Sequence, residues 1–227
     1  MNTSVIITGG GSGLGLELAK LYSKNHDVFL LGRSETKLEE AALQLKTSRG
    51  TIHTAVCDVA NIEQVQSVLN LIFLSGPVHM LINNAGTGAF GPLDTLSEND
   101  VTTMIDTNVK GTIFPVMAAT PYFKKQDHGT VMNIISTAGL RGKVNESVYC
   151  ASKFAVRGFT ESLGKEWEAT NLRAIAVYMG GMDTPFWDNS THIKDRSRLK
   201  SPSLVAETIV HEEKAGGYTV SEIFIDR

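Results

Sequence analysis

Apolar and polar positions alternate along the chain in a pattern that predicts a layered α/β protein. Helical periodicity fills most of the intervals between short apolar, β-branched runs. Those runs predict strands at 4–8, 27–31, 52–57, 78–82, 129–135, 172–178 and 219–225. Strands that alternate with helices are typical of a parallel sheet covered on both faces. We therefore predict a single domain over 1–227, built on one doubly wound parallel sheet of about seven strands.

The carboxyl ends of these strands are the expected place for a ligand, at the point where the strand order reverses. One long segment beyond the sixth strand, 183–201, lacks sustained periodicity. Long irregular segments in compact domains are often lids, and closure of a lid excludes water. We expect 183–201 to be a mobile lid; the alternative is a fixed short helix at the sheet edge.

A run of glycines follows the first predicted strand. Residues 9–15 read GGGSGLG and lead into LELAKLY, which has the pattern of a helix. Glycines let a phosphate approach the backbone, and a helix N-terminus favours an anion. The turn therefore predicts a pyrophosphate cradle. Its spacing is T-G-x-x-x-G-x-G on Thr8, Gly9, Gly13 and Gly15, and neither G-x-G-x-x-G nor the P-loop pattern fits.

Tyr149 and Lys153 stand four residues apart in a predicted helix, 147–169. Residues at this spacing project from one face, so the phenol and the ammonium are expected side by side. A nearby cation favours phenolate, so the pKa of Tyr149 is expected to fall from about 10 toward the working pH. The alternative is a chance pair on a solvated helix face.

With these motifs the chain resembles the short-chain dehydrogenase/reductase family over nearly its whole length. The resemblance rests on the glycine turn, on 83–86 (NNAG), on Asn108 in NVKG, and on Ser136, Tyr149 and Lys153 in that order. Two departures are Met179, where the family usually has proline before Gly180, and a C-terminus ending EIFIDR without the usual glycine-rich tail. The resemblance implies a Rossmann-like oxidoreductase that moves a hydride between a nicotinamide cofactor and a carbonyl or alcohol.

The resemblance also implies a role for each matching residue. Ser136 hydrogen-bonds the substrate oxygen, and Tyr149 gives or takes the proton on it. Lys153 lowers the tyrosine pKa and binds the nicotinamide ribose, while Asn108 binds a water that links the lysine to solvent. The implied cofactor-binding residues are Gly9, Gly11, Ser12, Gly13, Leu14, Gly15, Arg33, Asp58, Val59, Asn84, Ala85, Gly86, Tyr149, Lys153, Gly180, Met182 and Thr184.

The end of the second predicted strand indicates which cofactor is preferred. An NAD enzyme normally has an acidic residue there to bind the ribose hydroxyls, but this chain has Gly32 followed by Arg33. A guanidinium suits a 2′-phosphate. We therefore expect NADP(H) to be preferred over NAD(H). The alternative is that Arg33 is an ordinary solvated loop residue. Asp58 has a similar alternative, since an aspartate after a strand also suits a simple turn.

Bulk properties argue against several other classes of partner. A net charge of −3 and a pI near 6.1 provide no general attraction to nucleic acid or to a membrane surface. The sequence contains no stretch of 18 apolar residues and no basic leader, so we expect a cytoplasmic protein. Cys57 and Cys150 are expected to be free thiols. The six histidines lack ligand spacing, so no metal is expected.

The leading hypothesis is an NADP(H)-dependent carbonyl reductase or alcohol dehydrogenase. The rival is a catalytically idle nucleotide-binding protein that senses redox state or acts as a scaffold. The expected substrate-lining segments are 87–93, 137–146 and 183–201, and the basic side chains of 183–201 either attract an acidic substrate or form a solvated face. The resemblance implies a homodimer through 97–125 and 147–169, with a tetramer as a further possibility.

Overall fold

The computed structural model describes residues 3–46, 48–188, 190–216 and 220–225. These residues form one seven-stranded sheet in the order β3-β2-β1-β4-β5-β6-β7, and every pair of neighbouring strands is parallel. The strands are β1 (Ser4–Thr8), β2 (Asp27–Gly32), β3 (Ile52–Val56), β4 (Val78–Asn83), β5 (Gly129–Ile134), β6 (Leu172–Met179) and β7 (Glu222–Ile225). The order reverses between β1 and β4, so a crevice opens at the carboxyl ends of these two strands.

Helices cover both faces of this sheet. They are α1 (Gly13–Tyr22), α2 (Glu35–Gln44), α3 (Ile62–Ser75), α4 (Glu98–Met104), α5 (Gly111–Gln126), α6 (Ser147–Glu166) and α7 (Pro202–Gly216). One apolar core lies under α1, α2 and α7, and a second lies under α3, α5 and α6. Every residue of β1 and β5 is buried, because a strand between two helical layers has no solvent face.

A π-helical turn, Ile105–Lys110, joins α4 to α5 without a break. Helix α4 begins with a capping box between Ser97 and Asp100, and α5 contains prolines at Pro115 and Pro121. Single π turns inside α-helices are rare and are frequently found at functional sites. This turn carries Asn108, one of the four residues expected to be catalytic.

The predicted fold class is confirmed, and the predicted strands differ from the observed ones by one residue at most at all but one end. The exception is the last strand, which begins at Glu222 rather than at 219, a residue outside the described ranges. The predicted helix 147–169 ends at Glu166. Segment 183–201 is largely irregular, with short 3₁₀ turns at Pro185–Trp187 and Arg196–Arg198.

Candidate active site

Ser136, Tyr149 and Lys153 meet at the carboxyl end of the sheet. Ser136 follows β5, and the other two side chains project from α6. All three are buried, with 7%, 8% and 6% of their surface exposed, which excludes a chance pair on a solvated helix face. A hydrogen bond joins Ser136 to Tyr149, and Lys153 Nζ lies 5.8 Å from the centre of the tyrosine ring.

The backbone at Ser136 is held in an unusual conformation. Its φ is 107°, a value that favours glycine, and its Oγ accepts a hydrogen bond from the Ala138 N–H at 3.2 Å. A residue held in such a region is stabilised by its surroundings, and such residues cluster at active sites. The strained turn presents the Ser136 hydroxyl to the phenol of Tyr149.

The predicted fall in the Tyr149 pKa is wrong for this structure. Burial raises the pKa of Tyr149 well above its ordinary value; the hydrogen bond with Ser136 opposes part of that rise, and Glu146 and Cys150 add to it. Burial also lowers the pKa of Lys153 to about 8. Desolvation therefore exceeds any stabilisation of phenolate by the lysine. Tyr149 is consequently a neutral phenol at neutral pH, which is the form that donates a proton.

Lys153 is positioned by backbone and by polar neighbours. Its Nζ donates to the Ile134 carbonyl at 3.0 Å. Asn108, on the π turn, accepts from the Thr87 N–H at 2.8 Å and donates to Ser152 Oγ at 2.9 Å. A Cβ on Gly86 would lie 3.4 Å from Asn108 Oδ1 and 3.7 Å from Lys153 Nζ. The structure thus brings the side chains of Asn108 and Lys153 to the same side of Gly86.

The glycine turn between β1 and α1 has the geometry of an anion cradle. Gly9 and Gly13 have φ of 63° and 54°, and a Cβ on Gly15 would lie 2.3 Å from the Gly9 carbonyl oxygen. Ser12 precedes α1 without capping it, and the first turn of the helix, from Gly13 to Leu16, has no acidic residue. The first N–H groups of a helix have no partner within it, so Gly13, Leu14 and Gly15 present donors toward an anion. These features fit the pyrophosphate of a dinucleotide.

Contacts with neighbouring elements fix this turn. Asn84 Nδ2 donates to the carbonyls of Thr8 and Gly9 at 3.1 and 3.2 Å, and the Ala85 N–H donates to Thr8 Oγ1 at 3.1 Å. On the other side, a Cβ on Gly13 would lie 3.2 Å from the side chain of Thr184. Asn84, Ala85 and Thr184 therefore lie around the start of α1.

Two exposed basic residues, Arg33 and Lys37, follow the end of β2 along the chain. Arg33 is exposed directly after Gly32. A Cβ on Gly11 would lie 3.3 Å from the backbone and Cβ of Lys37, an exposed residue in the first turns of α2, so the base of this side chain lies beside the turn. Lys37 was missed in the sequence because only the packing of α2 against the turn brings it there.

Of the remaining expected cofactor residues, Asp58, Val59 and Met182 have structural partners, and Gly180 lies in open space. Asp58 Oδ1 accepts from the Ala60 N–H at 3.0 Å, as in an ordinary turn, and Val59 is buried against Gly111. Met182 is buried and forms an isolated bridge with Lys200. Gly180 directly follows β6, and a Cβ there would meet nothing within 4 Å.

Carboxylates pair with two of the basic side chains in segment 183–201. Arg196 lies 2.6 Å from an Asp183 oxygen and 2.9 Å from an Asp188 oxygen, and Arg198 lies 3.2 Å from Asp195. These guanidinium groups are therefore engaged within the segment, which favours the solvated-face interpretation over attraction of an acidic substrate.

Aromatic rings cover Tyr149. Phe90 contacts it edge-on with ring centres 5.4 Å apart, Phe186 lies at 6.0 Å, and Trp187 and His192 stack on Phe90 at 5.1 and 4.9 Å. His192 Nε2 lies 3.1 Å from Glu146 Oε1. Glu146 and His192 were missed in the sequence analysis because they are 46 residues apart and belong to no motif.

Comparison with known proteins agrees with this geometry. Residues 3–195 match the model of the short chain dehydrogenase family. The chain belongs to this family of oxidoreductases. It is 29% identical over 221 residues to an uncharacterized oxidoreductase of Staphylococcus epidermidis, covering 97% of this chain and 95% of that one. It is 28% identical over 236 residues to sepiapterin reductase of Chlorobaculum tepidum, covering 100% and 96%.

Among solved structures, ElxO with NADP bound superposes with a TM-score of 0.90 at 27% identity, covering 100% of this chain and 98% of that one. Within the described ranges, no helix is long and apolar enough to cross a membrane. The same residues contain no group of three or more His, Cys, Asp or Glu side chains that could hold a metal ion.

Proposed function

We propose that this protein is an NADP(H)-dependent oxidoreductase that interconverts a carbonyl and an alcohol. The observation that carries the proposal is the buried meeting of Ser136, Tyr149 and Lys153 beside a glycine turn with a free helix N-terminus. Bound NADP(H) supplies the hydride chemistry, and the protein supplies orientation and electrostatics.

Each residue has a role that follows from its surroundings. Ser136 donates a hydrogen bond to the substrate oxygen and stabilises the negative charge that develops on it. Tyr149, a neutral phenol because of its raised pKa, gives its proton to that oxygen during reduction. Lys153 binds the nicotinamide ribose and, while charged, limits the cost of forming phenolate. Asn108 orients the lysine surroundings through Thr87 and Ser152.

NADP(H) is the proposed cofactor because the acidic residue typical of NAD enzymes is replaced by Gly32. Two exposed cations, Arg33 and Lys37, follow Gly32 along the chain, and we assign them to the 2′-phosphate. The NADP bound to the ElxO structure is consistent with this choice. Gly9, Gly11, Ser12, Gly13, Leu14, Gly15, Asp58, Val59, Asn84, Ala85, Gly86, Gly180, Met182 and Thr184 complete the proposed cofactor site.

A screen of aldehydes, ketones and alcohols, followed by NADPH absorbance, tests this function. We expect turnover of at least one carbonyl by the wild type. The rival, an idle NADP(H) sensor or scaffold, predicts tight NADPH binding without turnover of any compound. It is disfavoured because Asn108, Ser136, Tyr149 and Lys153 are all present.

Two further properties belong to this proposal. Segment 183–201 acts as a lid, so its hydrogen exchange should slow when NADPH and a substrate analogue bind; equal protection without ligand would support a fixed element instead.

A homodimer forms through 97–125 and 147–169, where Met117 and Phe154 are 57% and 43% exposed. Sedimentation at micromolar concentration should show a dimer, and a monomer would contradict it.

A further inference from the structure

We propose that Glu146 and His192 are positioning residues, whose pairing holds the aromatic wall of segment 183–201 against Tyr149 and thereby sets the affinity for substrate. The inference rests on the proposed function for its kinetic readout only. Its structural readout, the accessibility of Trp187, is independent of catalysis.

The protein's own rings close the approach to Tyr149. Phe90, from the loop after β4, and Phe186, from segment 183–201, pack on the tyrosine, which is 8% exposed. In this proposal, a substrate oxygen reaches the phenol past these two rings. The position of the two rings therefore decides how readily substrate binds.

Hydrogen bonds connect the two ends of segment 183–201 to each other and stabilise its interior. The Asp183 N–H donates to the Lys200 carbonyl at 2.9 Å, and Trp187 Nε1 donates to the Met182 carbonyl at 3.0 Å. Arg196 donates to Asp183, to Asp188 and to the Thr184 carbonyl at 2.7 to 2.9 Å. These hydrogen bonds hold the segment together. A displacement of one part of it is therefore expected to move Phe186 as well.

His192 is the point where this compact segment meets the start of α6. Its Nε2 lies 3.1 Å from Glu146 Oε1, and the two side chains are only 19% and 10% exposed. Hydrogen bonds to a carboxylate strengthen when water is excluded. Glu146 directly precedes α6, three residues before Tyr149, while His192 stacks on Phe90 at 4.9 Å. The pair therefore links the aromatic wall to the helix that carries the proton donor.

The structural test uses Trp187 as the reporter. The chain has two tryptophans, so Trp167→Phe leaves Trp187 as the only one. We expect Glu146→Ala and His192→Ala to increase acrylamide quenching of Trp187, and Glu146→Gln to restore most of the protection. Glu146→Ala is the decisive variant because His192, which stacks on Trp187, is unchanged in it. A change in quenching then reports the lost contact with Glu146 and not the loss of a ring beside the indole. If Trp167→Phe does not fold, hydrogen exchange of peptides covering 185–188 and 190–193 replaces quenching.

The kinetic test separates substrate binding from chemistry. We expect Glu146→Ala and His192→Ala to raise the KM for the carbonyl about tenfold, as loss of one charge-assisted hydrogen bond implies, with kcat changed by less than about threefold. The Kd for NADPH should not change. The double variant should be no worse than His192→Ala alone, because that variant already removes the contact with Glu146.

His211→Ala is the matched control, since His211 also pairs with a glutamate, at 3.4 Å, but is 77% exposed on α7. The proposal is overturned if Glu146→Ala leaves Trp187 quenching and KM at the values of that control, or if the two single effects add. If the wild type turns over no carbonyl, the proposed function fails, and Trp187 quenching still decides whether the pair holds the wall.

Discussion

Titratable side chains are packed at both ends of the central sheet. The two ends differ in the backbone features that surround these side chains. At the carboxyl end lie Ser136, Tyr149 and Lys153. At the amino end lies a cluster formed by Tyr22, His26, His79, Arg173 and Glu213. The rings of His26 and His79 stack 5.1 Å apart, and Arg173 lies 3.5 Å from Glu213.

Shifted pKa values occur at both ends. Burial raises the pKa of Tyr22 as it does that of Tyr149, and burial lowers the pKa of His79 to about 4. Only the carboxyl end adds a glycine turn, a helix N-terminus and the positive φ of Ser136. A shifted pKa therefore reports burial, and the backbone arrangement around it distinguishes a catalytic site from a structural cluster.

The largest expected effect is a loss of kcat, and it should follow removal of the phenolic hydroxyl at the carboxyl end of the sheet but not at the amino end. We expect Tyr149→Phe to lower kcat by about 10²–10⁴-fold, because it deletes the transferable proton, while the Kd for NADPH is nearly unchanged. Tyr22→Phe, at the amino end, should keep wild-type kcat. Steady-state kinetics on an active carbonyl and fluorescence titration of NADPH check both. A Tyr149→Phe enzyme with more than half of the wild-type kcat would show that Tyr149 is not the proton donor.

The next effect concerns the two ends of strand β2. Gly32→Asp, at the carboxyl end, should reverse the preference for NADPH over NADH, because a carboxylate accepts from ribose hydroxyls and repels the 2′-phosphate. Asn25→Asp adds the same charge just before the amino end of the strand and should leave the ratio of the two Kd values as in the wild type. Tighter wild-type binding of NADH than of NADPH would contradict the choice of cofactor.

A smaller effect should appear in the pH dependence of stability. His79 has a pKa of about 4 in the folded protein because of burial, with the nearby His26, Arg173 and His128 lowering it further, against an ordinary value of 6.5. Between these two pH values the unfolded chain binds a proton that the folded protein does not. Stability should therefore be highest above pH 6.5 and fall as the pH drops toward 4, by at most about 1.4 kcal/mol per pH unit for this group.

Urea unfolding at several pH values measures this slope. We expect His79→Asn to flatten it, whereas His211→Asn, which changes a histidine that is 77% exposed, should not. A wild-type free energy of unfolding that is constant from pH 7 to about 5 would show that the amino-end cluster accepts protons without cost.

The smallest effect is a gain in stability at the amino end. The Tyr22 hydroxyl is buried and makes no hydrogen bond within the described part of the chain. Tyr22→Phe should therefore raise the free energy of unfolding by about 1 kcal/mol, since an unsatisfied buried group is removed. Tyr149→Phe should not give this gain, because its hydroxyl bonds to Ser136. A destabilised Tyr22→Phe protein in urea unfolding would show that the hydroxyl has a partner.

Local patterns were enough to predict most of the architecture. Apolar runs and helical periodicity predicted the seven strands because the central strands of a parallel sheet are buried on both faces and therefore form short apolar runs. The glycine turn and the spacing of Tyr149 and Lys153 predicted the carboxyl-end site, because strand ends and helix faces are properties of neighbouring residues. The matching family motifs supplied the expected role of each side chain.

Tertiary packing decided what no local pattern contains. The pKa of Tyr149 rises instead of falling because desolvation depends on every side chain around the phenol, including Phe90 and Phe186 from distant segments. Lys37 approaches Gly11 only because α2 packs beside the turn. The contact between Glu146 and His192 joins residues 46 positions apart. Burial and long-range contact are sums over the folded chain, so they became visible only in the structure.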